Sequence, residues 1–166
     1  MSGQVRRAGV EDAGALVALR AEMFDGMGVD PGSPDAPWRA AALAWFAQHL
    51  ADRDGFAAFV VEEAGVGVVS CAVGVVEVHA PGPRSPSGAH GRLSSVSTAP
   101  GSRRRGHARA CVTALLAWFD EATDARVVDL FATPGGAGLY RSLGFEEPRH
   151  TALQRRVGAG RSTPAR

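Results

Sequence analysis

The sequence predicts an α/β domain built on a mixed sheet, in which antiparallel and parallel strand pairs are combined. Two β-rich runs, 56–63 and 66–79, are separated by only two residues, which is typical of an antiparallel hairpin. Farther along, a strand pattern over 92–98 is followed by a helix pattern over 106–122 and an apolar strand over 126–132. Because a helix between two strands favours a parallel crossover, these two strands should pair. The order of elements therefore predicts a mixed sheet flanked by helices.

The N-terminal third is expected to form one strand and two helices. Residues 4–8 are a candidate short strand. The carboxylates of Glu11 and Asp12 suit the first turn of a helix, where the helix dipole is positive, and this helix should end near Gly26. After a segment rich in Gly, Pro and Asp, aromatic and apolar residues recur at helical spacing and predict a second helix over about 36–52.

The rest of the chain is divided by loop and turn residues. Residues 80–91 contain three Pro and three Gly and are expected to form a loop. A short helix is predicted over 134–143, because Pro stands near its start and Gly144 just past its end. A last strand is predicted over 149–157.

Composition and charge narrow the classes of function. The chain has 166 residues, 45% of them apolar and 21% charged, which suits one domain over 1–157 followed by a disordered tail over 158–166. No apolar run could span a bilayer and none follows the N-terminal residues as in a signal peptide, so we expect a cytoplasmic protein with no membrane partner. The net charge of +1 does not favour nucleic acid as a partner.

The most informative segment is a basic turn between a strand and a helix. Arg103, Arg104 and Arg105 precede Gly106, and Arg109 follows in the first turn of the predicted helix. The first N–H groups of a helix lack intrahelical partners, and together with the helix dipole and nearby guanidinium groups they favour an anion. The expected guest is a phosphate or pyrophosphate group.

The two cysteines give no sign of redox or metal chemistry. Cys71 falls in a predicted strand and Cys111 in a predicted helix. Isolated cysteines in such elements are usually small buried apolar residues. We therefore expect neither a disulfide nor a bound metal.

Three segments carry a resemblance to a known superfamily. Arg103-x-x-Gly106-x-Ala108 fits the (Arg/Gln)-x-x-Gly-x-(Gly/Ala) signature of the GNAT N-acetyltransferases, and the chain resembles that superfamily over about 4–157. The segment 139–145, LYRSLGF, is similar to the C-terminal LYxxxGF motif of the family. Residues 5–8, 11–12 and 19–20 resemble its first strand and first helix.

The resemblance implies a V-shaped sheet that is splayed between the strands at 92–98 and 126–132. Acetyl-coenzyme A (acetyl-CoA) would lie in the opening and the amine substrate would enter from the opposite side. The backbone of the basic turn would wrap the pyrophosphate, the Val96 amide would face the thioester oxygen, and Thr98 would lie beside the pantetheine. The residues that the resemblance assigns to the phosphates are Arg103, Arg104, Arg105, Gly106, His107, Ala108 and Arg109.

The resemblance also implies a proton donor but leaves the general base open. Tyr140 is the only tyrosine and falls on the family position that protonates the departing thiolate. Many relatives carry a Glu on the strand before the phosphate turn, whereas the segment 92–96 here has no carboxylate. Glu77 is the favoured base instead, with His79 and His90 as alternatives, since alternate residues of a strand share a face.

The acceptor pocket is expected near the end of the first helix. Phe24 and Met27 are the candidate pocket residues, and Asp25 or Asp30 could attract a cationic amine. The implied function is transfer of an acetyl group from acetyl-CoA to a primary amine, with a small molecule favoured, by direct attack in a ternary complex.

A second reading is a catalytically inactive module of the same fold that binds CoA as a sensor or for interaction. A Rossmann nucleotide site is excluded, because the Gly-x-Gly at 65–67 lies in a hairpin and is followed by Ser70 where the third Gly would stand. The sequence leaves open the identity of the amine, the acyl-chain preference and the oligomeric state, including a possible homodimer.

Overall fold

A computed structural model describes residues 3–158 as a five-stranded mixed sheet with helices on both faces. The strands lie side by side in sequence order; the first four are antiparallel and the last is parallel to the fourth. The predicted mixed sheet is therefore confirmed. The strands are β1 (Gln4–Arg7), β2 (Phe56–Glu63), β3 (Gly67–Val78), β4 (Ala89–Thr98) and β5 (Val128–Asp129).

The helices follow the predicted order, and two of them are introduced by short 3-10 turns. Val10–Asp12 forms the turn before the first helix, and Pro100–Ser102 lies between β4 and the third. None of the helices in the described part of the chain combines the length and apolarity needed to cross a bilayer. The helices are α1 (Ala13–Gly26), α2 (Pro37–Ala51), α3 (His107–Ala122) and α4 (Ala137–Ser142).

Two apolar cores form because side chains alternate along the strands. In β2, Phe56, Ala58 and Val60 pack with residues of α1 and α2, whereas Ala57 and Val61 pack with residues of α3. One face of the sheet is thus covered by α1 and α2 and the other by α3.

Glycines in the sheet allow α3 to lie close to it. A methyl group at Gly74 would lie 2.8 Å from Cδ1 of Leu115, and one at Gly91 would lie 2.8 Å from Cε1 of Phe119. Such separations are shorter than van der Waals contact, so only glycine fits at both positions. This close packing holds the middle and second half of α3 against β3 and β4.

Several elements near β5 differ in length from those predicted. β4 begins at Ala89 rather than at 92, and β5 covers two residues rather than 126–132. α4 begins at Ala137 rather than at 134. β5 is short because it pairs with β4 only at Gly91 and Arg92, after which the two strands diverge.

The predicted last strand over 149–157 is wrong. This segment has no regular structure, and Leu153 and Val157 are 92% and 83% exposed. Because its apolar side chains are not buried, nothing offsets the entropic cost of ordering the segment as a strand. Of the tail predicted over 158–166, residues 159–166 lie outside the described part of the chain.

Candidate functional site

The main cleft opens where β4 and β5 separate. The two strands pair only where Gly91 faces Val128 and Arg92 faces Asp129. Among the described residues, β4 continues to Thr98 with no further strand on this side. The resulting cleft has a volume of about 1130 Å³, and its walls come from β4, the basic turn, the start of α3, the segment after β5, α4 and the end of α1. The opening in the sheet that the family resemblance implies is therefore present.

A β-bulge shapes the wall of the cleft in the middle of β4. The register between β3 and β4 shifts between Cys71 and Val73, and Ser95 and Val96 lie opposite this shift. Ser95 has a φ of 49°, in the left-handed region that residues with a Cβ rarely adopt. Both bulge residues line the cleft. Val96 thus lies where the strand backbone departs from the regular ladder.

Side chains from two elements bind the bulge. The Arg20 guanidinium of α1 donates a hydrogen bond of 2.7 Å to Oγ of Ser95, and the Cys71 thiol donates one of 3.1 Å to the Ser95 carbonyl. Cζ of Arg20 lies 4.9 Å from the centre of the Phe24 ring. Burial lowers the pKa of Arg20 from its ordinary value, which still leaves the group charged near neutral pH.

The basic turn presents backbone N–H groups to one end of the cleft. Arg104 and Gly106 have left-handed φ angles of 66° and 82°, and Gly106 is the N-cap of α3. A Cβ at Gly106 would meet no atom within 4 Å, so the space beside it is open. Ala108 also lines the cleft. The first N–H groups of α3 therefore face a space that an anion can enter.

Three of the four predicted phosphate-binding arginines line the cleft, and two of them are already hydrogen-bonded. Arg103 donates from Nε to the Thr98 carbonyl at 3.0 Å, and Arg109 donates to Oγ of Ser142 at 2.7 Å. Arg104 is exposed at the cleft wall. The contact of Arg109 with Ser142 joins α3 to α4, so this arginine both faces the cleft and connects two of its walls.

The fourth arginine is directed away from the cleft by Glu63, which lies at the end of β2. Arg105 is 3.2 Å from the Glu63 carboxylate and does not line the cleft. The buried ring of His107 lies 2.8 Å from the same carboxylate, and this hydrogen bond lowers the pKa of Glu63. His107 is therefore held by its ring to β2, and only its backbone remains for an anion.

Tyr140 reaches the cleft from α4. Its ring packs edge-on against Phe145, with ring centres 5.9 Å apart. Burial raises the pKa of the Tyr140 phenol above its ordinary value. The phenol consequently stays protonated through the neutral range, as a proton donor requires.

Glu77 and the two alternative bases lie together, but outside the cleft. Glu77 faces His90 across the β3–β4 pair, and His79 Nε2 is 3.6 Å from the Glu77 carboxylate. His90 in turn lies 2.7 Å from Asp129. None of these three candidate bases lines the cleft. The shared face expected for Glu77 and His79 is correct, whereas their approach to the reacting groups is not supported.

The carboxylate at the cleft is one that the sequence analysis missed. Among the described residues, Glu22 is the single carboxylate that lines it, together with Met23, Gly26 and Met27 of the same helix. These positions follow the spacing i, i+1, i+4, i+5, which is one face of a helix. The helical spacing of these residues is visible in the sequence, but no local sequence feature indicates which face of α1 lines the cleft.

Phe24, the other candidate pocket residue, lies in a neighbouring cavity of about 390 Å³. Its ring meets Trp38 edge-on at 5.6 Å. Asp30 also lines this cavity, whereas Asp25 lines neither space. The structure thus separates Met27, at the main cleft, from Phe24.

Both cysteines are free and buried. Burial raises the pKa of Cys71 to about 12 and that of Cys111 to about 11. Thiols with such pKa values carry almost no thiolate near neutral pH, and neither lines the cleft. Within residues 3–158, no group of three His, Cys, Asp or Glu side chains could hold a metal ion.

Comparison with solved structures places this fold among acetyltransferases. A predicted acetyltransferase with acetyl-CoA from Clostridium acetobutylicum is 21% identical, with a TM-score of 0.78 over 93% of this chain and 96% of that chain. A GCN5-related N-acetyltransferase from Ralstonia eutropha is 24% identical, with a TM-score of 0.73 over 92% and 97%. The aminoglycoside N-acetyltransferase AAC(6')-Iy in complex with CoA is 21% identical, with a TM-score of 0.69 over 95% and 97%.

Sequence comparison gives the same assignment. No curated protein matches the chain by sequence. The profile of the acetyltransferase (GNAT) family matches residues 18–145, a span that includes the C-terminal part of α1, the whole of β2 to β5, the basic turn and α4. This match covers most of the chain, and the chain therefore belongs to the acetyltransferase (GNAT) family.

Proposed function

We propose that the chain transfers an acetyl group from acetyl-CoA to a primary amine by direct attack in a ternary complex. The observation that carries this proposal is the cleft between β4 and β5, which has an anion-binding turn at one end, a β-bulge on its wall and a protonated phenol from α4. Membership of the GNAT family supplies the class of reaction.

Different residues of the cleft suit different parts of acetyl-CoA. The N–H groups at the start of α3, with Arg103, Arg104 and Arg109, suit the phosphates by charge and by their N–H donors. The open side of β4 suits the amides of the pantetheine, which can hydrogen-bond to a strand as an added strand would. The Val96 amide, in the bulge, suits the thioester carbonyl.

Two side chains would donate and accept the protons of the reaction. As the amine forms its bond to the acetyl carbon, the C–S bond breaks and Tyr140 donates its proton to the departing thiolate sulfur. Glu22 would pair with the acceptor ammonium and take up one of its protons before the attack, directly or through water, because it is the carboxylate of the described chain that faces the cleft. The second proton leaves the nitrogen as the amide forms and restores the phenol of Tyr140 through water. Glu22 thereby replaces Glu77 as our proposed base.

Direct attack is supported by the state of the two thiols. An acetyl-cysteine intermediate would require a nucleophilic thiolate at the cleft. Cys71 and Cys111 are buried elsewhere and protonated. The acetyl group would therefore not pass through an acetylated cysteine, which favours its direct transfer from CoA to the amine.

The experiment is an assay of CoA thiol release with a panel of primary amines: amino acid esters, polyamines and aminoglycosides. Aminoglycosides are included because one structural neighbour acetylates them by name. We expect release with at least one amine and none with the corresponding alcohols. The proposal would be contradicted if the protein binds acetyl-CoA tightly but, with every amine, consumes it no faster than the reaction without protein. That result would favour the inactive CoA-binding module.

Glu22→Gln tests the assignment of the base with the amine that the panel identifies. The variant should lower kcat/KM for that amine about 10²-fold and leave the KM for acetyl-CoA unchanged, because a general base contributes roughly this much. Glu121→Gln is the matched control, since Glu121 is exposed near the end of α3 and does not line the cleft. Equal rates for the parent and Glu22→Gln would overturn the assignment of Glu22.

A further inference from the structure

We propose that Arg20 is a positioning residue for acyl transfer: by its contact with Ser95 it holds the β4 bulge in the conformation that presents the Val96 amide to the thioester carbonyl. This inference rests on the proposed function. Arg20 touches neither reaction partner in this scheme and acts entirely through the bulge.

The bulge requires something to hold it. Ser95 has a φ of 49°, which costs free energy for a residue with a Cβ and persists only where its surroundings enforce it. The conformation of Ser95 sets the direction of the peptide that joins it to Val96. Any relaxation of Ser95 toward the extended region would therefore turn the Val96 N–H.

The surroundings of Ser95 enforce this conformation from two sides. Its hydroxyl accepts the 2.7 Å hydrogen bond from Arg20, and its carbonyl accepts the 3.1 Å hydrogen bond from the thiol of Cys71. Ser95 is itself only 7% exposed. One contact comes from α1 and the other from β3, so the bulge is fixed between two elements that the sheet and its helices already hold.

Arg20 is suited to holding a position because its own side chain is immobilised. The guanidinium lies over the Phe24 ring at 4.9 Å and is half-buried against α1. Within residues 3–158 it forms no ion pair with a carboxylate, so Ser95 is its hydrogen-bond partner there. A partly buried cation is costly unless it is hydrogen-bonded, and this cost favours the Arg20–Ser95 contact.

CoA binding and recognition of the acetyl group would depend on different parts of the cleft. The phosphates of CoA would be held by the turn before α3, which Arg20 does not contact. The acetyl carbonyl would be held by Val96. Loss of Arg20 should therefore affect recognition of the acetyl group and the rate of transfer, while the affinity for CoA itself stays the same.

Calorimetric titration with CoA and with acetyl-CoA tests this without knowledge of the acceptor. One neutral hydrogen bond corresponds to about threefold to tenfold in affinity, so the parent should bind acetyl-CoA tighter than CoA by about that factor. In Arg20→Met this preference should disappear while the dissociation constant for CoA changes less than about twofold. With an accepted amine, kcat should fall by up to about 10²-fold, and the KM for acetyl-CoA should rise by no more than the threefold to tenfold loss of affinity.

Three further variants keep the result interpretable. Ser95→Ala removes the hydroxyl but keeps the Cβ that disfavours a positive φ, so it should reproduce the loss of preference even if Arg20→Met folds poorly. The double variant should be no worse than either single one, because both remove the same contact. Arg39→Met is the matched control: Arg39 lies over the Trp38 ring at 5.0 Å but does not contact β4.

The outcomes distinguish this inference from the function on which it rests. A parent that binds acetyl-CoA and CoA equally would contradict the role of Val96, and the role of Arg20 with it. A parent that prefers acetyl-CoA, with the same preference retained in folded Arg20→Met and in Ser95→Ala, would overturn the inference and leave the proposed function standing.

Discussion

At the scale of single residues, arginines that are equivalent in the sequence have different partners in the structure. Arg104 is exposed at the cleft wall, Arg105 is paired with Glu63, and Arg109 joins α3 to α4 while it lines the cleft. The number of arginines in the turn is therefore a poor guide to the number of phosphate contacts. What decides the role of each is the acceptor that a neighbouring element supplies.

Tyr140→Phe tests the proposed proton donor. The variant keeps the ring that packs against Phe145 and removes only the hydroxyl, so kcat should fall by about 10²- to 10⁴-fold while acetyl-CoA binding is retained. In the parent, the rate should rise from pH 6 to 9 as the amine loses its proton. Because burial raises the pKa of Tyr140, the activity of the parent should decrease only above pH of about 10, where the phenol ionises. This decrease at alkaline pH should be absent in the variant.

A Tyr140→Phe variant that keeps more than a third of the parent kcat would exclude the phenol as the donor. Its affinity for acetyl-CoA, measured by calorimetry, is the control for folding and for an intact cleft.

The predicted site residues that line the cleft are those whose place depends on local structure, and their roles stay predictions. Gly106 and Ala108 lie in a turn and a helix start that the local pattern indicates, and Tyr140 is assigned through the resemblance of 139–145 to the family motif. Arg20 and Glu22 could not be found in this way. Arg20 contacts a residue 75 positions later, and the bulge that creates this contact leaves no periodic signal in the sequence.

At the scale of elements, the joint between β1 and α1 depends on one buried carboxylate. Asp12 is 5% exposed and accepts hydrogen bonds from both terminal nitrogens of Arg6, at 2.7 and 2.9 Å, and from the Gly9 amide at 2.9 Å. The Arg6 guanidinium, which also reaches Glu62 of β2, lowers the pKa of Asp12. The strand, the turn and the helix are thereby tied together.

Asp12→Asn should lower the free energy of unfolding at pH 7 by about 1.5–3 kcal/mol, the usual contribution of a hydrogen bond to a charged group. Because the folded pKa of Asp12 lies below the unfolded value of about 3.9, this contribution is present above that pH and is lost as the pH falls below it. Urea unfolding of the parent and the variant across pH 2–7 measures it. The two curves should converge at low pH.

Asp35→Asn is the control for this comparison, since Asp35 is exposed in a loop. A constant difference in stability between the parent and Asp12→Asn from pH 7 to pH 2 would show that the carboxylate charge is not what ties the elements together.

Elements with a clear period or a clear boundary were predicted well, and those near the splayed edge were not. The hairpin, α1, α2 and α3 have apolar faces that a helix or a strand must bury. β5 is short and the segment 149–157 is irregular for another reason: a strand at this edge needs a partner, and β4 and β5 have diverged after Arg92. Pairing of this kind is a property of the whole sheet, which local sequence does not reveal.

At the scale of the whole molecule, one opening in the sheet accounts for the site. Antiparallel pairing from β1 to β4 and the close packing of α3 hold one side, while β5 pairs too briefly to close the other. The basic turn, the bulge and α4 all face the space that remains. The single domain over 1–157 and the homodimer stay predictions, and size measurement in solution with acetyl-CoA present would address the second.

Calorimetric titration with acetyl-CoA tests the central claim most directly, with Ala108→Glu as the variant. Ala108 lines the cleft in the first turn of α3, where a glutamate is favourable to the helix dipole but repels a phosphate. Ala18→Glu, at an exposed position of α1 away from the cleft, is the matched control. We predict one bound acetyl-CoA per chain, affinity reduced by more than about tenfold in Ala108→Glu, and no change in Ala18→Glu. No binding by the parent, or equal binding by Ala108→Glu, would contradict the assignment of acetyl-CoA to this cleft.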